Sequence, residues 1–290
     1  MTPPAASRLR VVRAGALTTV QDAGRPGWAH LGVGRAGFLD APAARLANRL
    51  VGNPPDAAVL ETTLTGCAVS PDRPVVAVVG GAGCRVTVDG RPVAWGAPVR
   101  VPAGAVLDAG PAVSGLRGYL AFAGALEPEA VLGSRSADLL SGLGPAPLRD
   151  GDELPLGDPA PGGPPPAGPV PWPGAPAELV LPAHPGPRHD WFTEAALRTL
   201  HTAAYRVSPH SNRIGLRTEG PALERSRTGE LPSEGMVLGA VQVPPDGRPV
   251  VFLNDHPTTG GYPVVGIVAG RAIAAAAQAV PGTRLRFVRA

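Results

Sequence analysis

Apolar positions in this chain come in short runs broken by Gly, Pro and Asp, a pattern that suits strands better than long helices. In the first half, residues 75–79, 85–88, 99–101 and 119–123 read as strands. Asp89-Gly90 between two such runs marks a tight hairpin turn. One helix stands out at 41–51. Asp40 can cap it, Pro42 is tolerated in its first turn, Leu46 and Leu50 share a face, and Gly52-Asn53 stops it. The second half continues in the same style. Asp190 is placed to cap a helix running through Leu200, and 205–208 reads as a strand. Residues 239–243 and 249–253 flank a turn at Pro245-Asp246-Gly247. A strand at 264–268, an Ala-rich helix at 271–280 and a last strand at 284–288 complete the pattern. Two mostly-β halves with one or two helices each predict two barrel or sandwich modules.

Composition locates the division. The chain has 290 residues, and positions 155–187 alone hold 13 Pro and 6 Gly. That stretch reads as a linker or surface excursion with some extended polyproline character, between modules at 1–154 and 188–290. All 26 basic residues are Arg. The absence of Lys excludes a Walker A phosphate loop, a Schiff-base enzyme, a Ser-x-x-Lys hydrolase and a biotin-carrying lysine. A pI near 9.4 raises nucleic-acid binding. The Arg residues are scattered, however, and only 4% of residues are aromatic, which fits a solvated surface and no nucleic-acid partner. Cys67 and Cys84 are 17 apart with no His at ligand spacing, and none of the six His shows metal spacing, so a metal site is not expected. Residues 1–10 lack an apolar segment, and 262–280 is interrupted by Arg271 and Gly residues. The expectation is a reduced, cytoplasmic protein without membrane contact.

Three polar clusters could carry chemistry. In the run from Thr18 to Gly27, Gln21, Asp22, Gly24 and Arg25 sit in a loop forced by Gly and Pro, where backbone donors and a guanidinium can converge on an anion. A buried turn in which Asp22 and Arg25 satisfy each other would look the same. The second cluster, Asn254 to Tyr262, follows a strand. Asp255 is a candidate base, Thr258 and Thr259 could hold phosphate oxygens, and Gly260-Gly261 lets a ligand approach the backbone. The alternative is a hairpin loop with His256 merely packed. The third is Ser211-Asn212-Arg213-Ile214-Gly215 with Arg217, Glu234 and Gln242 downstream, which could bind an amide and a carboxylate or simply cap a barrel. Gly133-Ser134-Arg135-Ser136 is a weaker candidate of the same kind.

Long motifs in order carry a resemblance. The run Thr18-Thr19-Val20-Gln21-Asp22-x-Gly24-Arg25-x-Gly27 is followed by Gly32-Val33, Gly37, Asp40, Ala47-Asn48 and Leu50-Val51-Gly52-Asn53. Then come Leu60-Glu61, Arg117-Gly118-Tyr119-Leu120, Gly133-Ser134-Arg135-Ser136, Ser211-Asn212-Arg213-x-Gly215 and Ser233-Glu234-Gly235. Gly239-Ala240-Val241-Gln242-Val243-Pro244 and Thr258-Thr259-Gly260-Gly261-Tyr262 complete the series. Nearly the whole chain thus resembles the biotin-dependent carboxyltransferase-like family, which includes the C subunit of bacterial 5-oxoprolinase, the KipA proteins and the carboxyltransferase region of urea carboxylase. Thr218 departs from the apolar residue expected there, and the 155–187 stretch is longer than expected.

The resemblance implies two cyclophilin-like β-barrel modules in tandem. It implies a separately encoded or fused B subunit of KipI-like type. For the 5-oxoprolinase branch it implies a third, LamB/YcsF-like subunit and ATP-dependent opening of 5-oxo-L-proline to L-glutamate. ATP with Mg2+ would be shared with the partner subunit, and no biotin would be attached to this chain. Asn212, Arg213 and Gln242 are expected to orient substrate, Asp255 and Glu234 to manage a proton or a magnesium ion, and Gln21, Asp22, Gly24, Arg25, Ser211 and Thr258–Tyr262 to contact substrate or phosphate. Two other readings stay open: the carboxyltransferase component of a urea-type biotin-dependent carboxylase, and a non-enzymatic KipA-like regulator that binds a kinase inhibitor. A chain of 290 residues with no fused carboxylase region fits the 5-oxoprolinase component better than the urea-type one.

Overall fold

A computed structural model describes residues 7–161 and 170–290. The middle of the Pro/Gly-rich stretch, 162–169, lies outside the described residues, as does the start of the N-terminal segment. The chain forms two compact units. The first draws its described residues from Met1–Arg25, Asp40–Ala137 and Gly142–Ala175, and the second from Pro26–Leu39, Asp138–Ser141 and Pro176–Ala290. Two segments of the N-terminal half therefore fold with the second unit.

The first unit is built on a nine-stranded sheet. Its frame is a pair of long antiparallel strands, Val75–Val88 and Leu107–Phe122, running from Ala77 opposite Phe122 to Val88 opposite Leu107. The two runs read separately at 75–79 and 85–88 are one strand, bent by irregular register between Gly81 and Val86. The Asp89-Gly90 turn follows it, with both residues at positive φ (47° and 75°), and Val88 opposes Arg91 across it. Along its other edge Leu107–Phe122 pairs with Cys67–Pro71 at one end and Val59–Thr63 at the other. Leu9, Val11, Val20, Leu60, Val69, Val79, Leu107 and Phe122 fill the core. Helix α1 (Ala41–Leu50) starts as expected: the Asp40 carboxylate accepts from the Ala43 N–H at 3.1 Å. Cys67 and Cys84 are free thiols, and burial pushes them up to about 12 and about 11.

The second unit is a closed seven-stranded barrel. It closes where Glu178–Pro185 pairs in parallel with Arg284–Arg289 and antiparallel with Val264–Val268. The stretch 155–187 is thus not all connector: its last part is a barrel strand with Leu179, Leu181 and Ala183 facing the core. Pro182 and Pro185 disguise that period-two alternation in the sequence. Helix α2 (Glu194–Thr202) is capped by Thr193, whose hydroxyl accepts from the Ala196 N–H, rather than by Asp190. Asp190 falls in a separate turn of 3-10 helix (His189–Trp191) and pairs with Arg227 at 2.8 Å. The Ala-rich run contains helix α3 (Ile273–Gln278), preceded by a 3-10 turn at Gly270–Ala272. Thr218, the polar departure, is buried with its hydroxyl donating to the Pro249 carbonyl at 2.7 Å, so burial leaves no polar group unsatisfied there. The molecule is mostly β, with two barrel-type modules of the cyclophilin-like kind. No helix among the described residues is long and apolar enough to cross a membrane.

One part of the Pro/Gly-rich stretch is firmly seated on the first unit. The Trp172 indole donates to the Gly96 carbonyl at 2.9 Å and packs against Trp95 with ring centroids 5.5 Å apart. Gly80 and Gly96 make its floor. A Cβ on Gly80 would overlap the indole ring, and one on Gly96 would come within 2.6 Å of its nitrogen.

Candidate functional site

In the first unit, the buried strand Thr18–Gln21 delivers the loop 22–25 against residues 131–137. Asp22 and Arg25 do not satisfy each other. The Asp22 carboxylate accepts from the hydroxyls of Ser134 and Ser136 and the amide of Arg135, each at 2.6 Å, and from the Gly24 amide at 2.8 Å. Its own N–H donates to Ser136 Oγ. Four donors thus hold Asp22 as an internal anion, which fits it to shape the loop. Arg25 is only 1% exposed. Its Nε donates to the Val131 carbonyl and its Nη2 to that of Ser136, while Nη1 has no partner. Gln21 is fully buried. Its amide nitrogen donates to Thr19 Oγ1 and the Ala137 carbonyl, and Oε1 has no partner. Arg135 Nε is likewise buried and unpartnered. The buried Arg25 guanidinium is thus solvated by two carbonyls, with one buried donor unused. The serines partnering Asp22 stand 112 and 114 residues away in the chain. Each motif is visible in the sequence, but nothing local pairs them.

Glu61 and Tyr119 form a second buried group in this unit that motif reading leaves without a role. Strand register sets them opposite each other, and Tyr119 Oη donates to Glu61 at 2.9 Å while accepting from the Asp40 amide. Burial, with the Glu61 and Asp40 charges adding to it, pushes the Tyr119 hydroxyl well above its ordinary range.

In the second unit, Arg213 and Asp255 form an ion pair with no side-chain exposure at all. Arg213 Nε and Nη2 each reach a carboxylate oxygen at 2.9 Å, and Nη2 also donates to the Gly37 carbonyl. Asp255 accepts the Leu139 amide as well. Burial pushes Asp255 above the usual carboxylate range, with Arg213 opposing. Beside it, the Asn254 amide donates to the carbonyls of Ala36, Gly37 and Phe38. These three side chains pin 36–38 and 138–141 to the barrel. As placed, Asp255 offers no solvent-facing oxygen to a proton or metal, and Arg213 is its counter-ion. Asn212 is exposed, its amide oxygen closing an Asx turn on the amides of Ile214 and Gly215. The Ser211 hydroxyl is bound to the Ser208 carbonyl and the Arg217 amide.

The remaining predicted residues do converge. Glu234–Gly235 pairs with Thr259–Gly260, the Met236 amide donates to the Thr258 carbonyl, and the Gln242 amide donates to the Tyr262 carbonyl at 3.3 Å. A Cβ on Gly260 would come within 2.7 Å of Gln242 Nε2. Glu234 is held by Arg188, which donates from Nε at 2.8 Å and from Nη2, and these hydrogen bonds keep its carboxyl below the usual range. Thr259 and Tyr262 are exposed on this edge. His256 is buried, stacked on Phe252, and held by burial below its ordinary range. Among the described residues, no group of three or more His, Cys, Asp or Glu stands together as metal ligands.

Comparison with known proteins follows the same line. The carboxyltransferase domain family, subdomain A and B, matches residues 31–289. The chain is 37% identical over 287 residues to the C subunit of 5-oxoprolinase from Escherichia coli K12, covering 97% of this chain and 91% of that protein. Among solved structures it is similar to TTHA0988, with 38% identity and a TM-score of 0.88 over 99% of this chain and 57% of that one. It is also similar to the Kluyveromyces lactis urea amidolyase, with 29% identity and a TM-score of 0.90, where 97% of this chain corresponds to 18% of the larger protein. By an almost full-length match and a shared fold, the chain belongs to the carboxyltransferase domain family.

Proposed function

We propose that this chain is the C subunit of an ATP-dependent 5-oxoprolinase, opening 5-oxo-L-proline to L-glutamate together with a KipI-like B subunit and a third, LamB/YcsF-like subunit. One observation carries the reading: the correspondence with the Escherichia coli C subunit runs nearly end to end in both chains. The chemistry accords with it. A five-membered lactam has a resonance-stabilised carbonyl and a poor leaving group. Transfer of the γ-phosphoryl group of ATP to the lactam oxygen forms an O–P bond and releases ADP. Water then adds to the activated carbon, the C–N bond breaks with the nitrogen leaving as the amine to give an acyl phosphate, and a second water cleaves that to the carboxylate and free phosphate. Such a path needs placed cations and N–H donors more than a protein nucleophile. In the first unit Arg25 Nη1 and Arg135 Nε are unused donors, each buried as placed, and in the second the exposed Thr259 and Tyr262 beside Gln242 offer hydroxyls. In this reading Mg2+ arrives on the nucleotide phosphates, and Asp255 acts through Arg213 by holding the 36–38 turn.

The similarity to the urea amidolyase structure supports a second reading, a carboxyltransferase component whose biotin is carried on another chain, since this one has no Lys. The chain, co-purified with its KipI-like partner and supplied with the third subunit, is assayed for ATP hydrolysis with and without 5-oxoproline. Lactam-dependent turnover releasing glutamate is the expected result. Turnover seen only with urea-like amides and a carboxybiotin carrier establishes the second reading, and tight association with no turnover indicates a regulator.

A further inference from the structure

A cavity of about 260 Å³ opens in the second unit between helix α2 and the barrel strands Glu178–Pro185 and Val264–Val268. It belongs to none of the three clusters above. Its walls are apolar where Ala183, Leu197, Leu200 and Val265 line it, and Gly266 contributes no side chain. Its polar side chains are those of His184, His189, His201 and Arg289; Pro185 and the last residue, Ala290, also line it, and no Asp or Glu side chain does. Leu197, Leu200 and His201 are three and four apart on α2, so one helix face supplies both apolar wall and polar group.

Two of these groups have polar atoms left unused. Arg289, exposed on the last strand, forms no ion pair or side-chain hydrogen bond among the described residues, whereas Arg286 on the same strand pairs with Glu178 at 2.9 Å. His201 Nδ1 is buried with no hydrogen-bond partner, while the ring also bonds the Phe287 backbone. Burial, with Arg289 nearby, keeps this imidazole neutral at neutral pH, so its unpartnered nitrogen can accept a hydrogen bond. His189 is committed to the Gly186 carbonyl at 2.9 Å.

We propose that this cavity is a binding site for a small monocarboxylate with an apolar body, its carboxylate on Arg289, its body against Leu197, Leu200 and Val265, and a hydrogen-bond donor on His201 Nδ1. An apolar chamber with a few placed polar groups is the usual form of a small-molecule site. The volume, that of roughly nine waters of liquid, suits a single-ring compound. An unpaired guanidinium at the edge of apolar walls selects an anion, and the walls select against one without an apolar body.

The test uses the full chain, with the His201 ring signals followed by NMR during titration with 4-hydroxybenzoate, its neutral amide 4-hydroxybenzamide, and acetate. Saturable shifts are expected with 4-hydroxybenzoate, and the amide and acetate should each bind at least about tenfold more weakly. Arg289→Gln, an exposed position on the last strand, should bring 4-hydroxybenzoate down to the level of the amide. Leu197→Trp should fill the cavity and abolish binding while the barrel's amide spectrum is retained. Shifts from 4-hydroxybenzoate that are unchanged in Arg289→Gln, equal affinity for acid and amide, or no saturable shift at millimolar concentration would each overturn the proposal.

Discussion

Arg213 and Asp255 show how much one pair of side chains can be asked to hold. Taking two charges out of water is unfavourable, and the pair persists because both carboxylate oxygens and two guanidinium nitrogens are engaged. Removing one partner leaves the other charged and buried. Asp255→Asn and Arg213→Met are each expected to destabilise the protein by about 3–5 kcal/mol in urea denaturation. The double variant Arg213→Met, Asp255→Leu should lose less than the sum of the two. Single losses below about 1 kcal/mol would mean that water already reaches the pair. Nearby, His256 gives a pH signature. Its folded form is held below the ordinary imidazole value, chiefly by burial, with Arg35 lowering it further and the Pro257 carbonyl opposing. The stability that depends on the neutral ring is complete above about pH 6.5 and is lost as pH falls through the lower folded value. His201 is shifted the same way, so the comparison with His256→Gln isolates one residue. Urea midpoints for protein and variant should converge from pH 8 towards 5, and parallel curves would show that His256 titrates alike in both states.

At the scale of elements, the helix caps separate what local sequence determines from what it leaves open. Asp40 caps α1 because the acid directly precedes a run whose apolar positions are three and four apart, and Pro42 already has the helical φ. For α2 two capping residues compete within four positions. Thr193 prevails because His189–Trp191 closes its own 3-10 turn and Phe192 leaves it in extended conformation. Thr193→Ala should then lower stability by about 1 kcal/mol, and Asp190→Ala, which removes an exposed ion pair with Arg227, by at most about 0.5 kcal/mol. Equal losses from the two variants would return the cap to Asp190. Ser7–Arg13, Thr18–Gln21, Val59–Thr63, Cys67–Pro71 and Gly215–Glu219 escaped the sequence reading. The runs at 75–79, 99–101, 119–123, 205–208, 239–243, 249–253, 264–268 and 284–288 were legible because short apolar runs bounded by turns are a local signal. The strand Glu178–Pro185 was not, because two prolines interrupt its alternation. The candidate site was legible as motifs and illegible as partnerships. Asp22 with Ser134 and Glu61 with Tyr119 are set by register between segments far apart in sequence, which no local pattern records.

For the molecule as a whole, the sequence divides at its richest run of Pro and Gly, yet the compact units divide differently, with 26–39 and 138–141 counted in the second. Buried hydrogen bonds decide that allocation. Asn254 and Arg213 hold the carbonyls of 36–38, and Asp255 holds the Leu139 amide, all from the barrel. Hydropathy along the chain carries no trace of such a claim by distant residues on a passing loop.

Trp172 turns the least regular part of the chain into one that reports on itself. An indole seated on two glycines and hydrogen-bonded to a carbonyl emits at shorter wavelength than one in water, so light emission distinguishes a seated connector from a released one. Gly80 lies in a strand, where alanine is conformationally acceptable, and the added methyl group occupies the place of the ring. In Gly80→Ala the Trp172 contribution, taken as the difference from the matching Trp172→Phe protein, should move to longer wavelength, and protease cleavage near Trp172 should quicken. Unchanged emission and cleavage would show that the ring shifts without leaving its seat. A single methyl group, placed on a residue that has no side chain of its own, thereby serves as an optical test of where the connector runs.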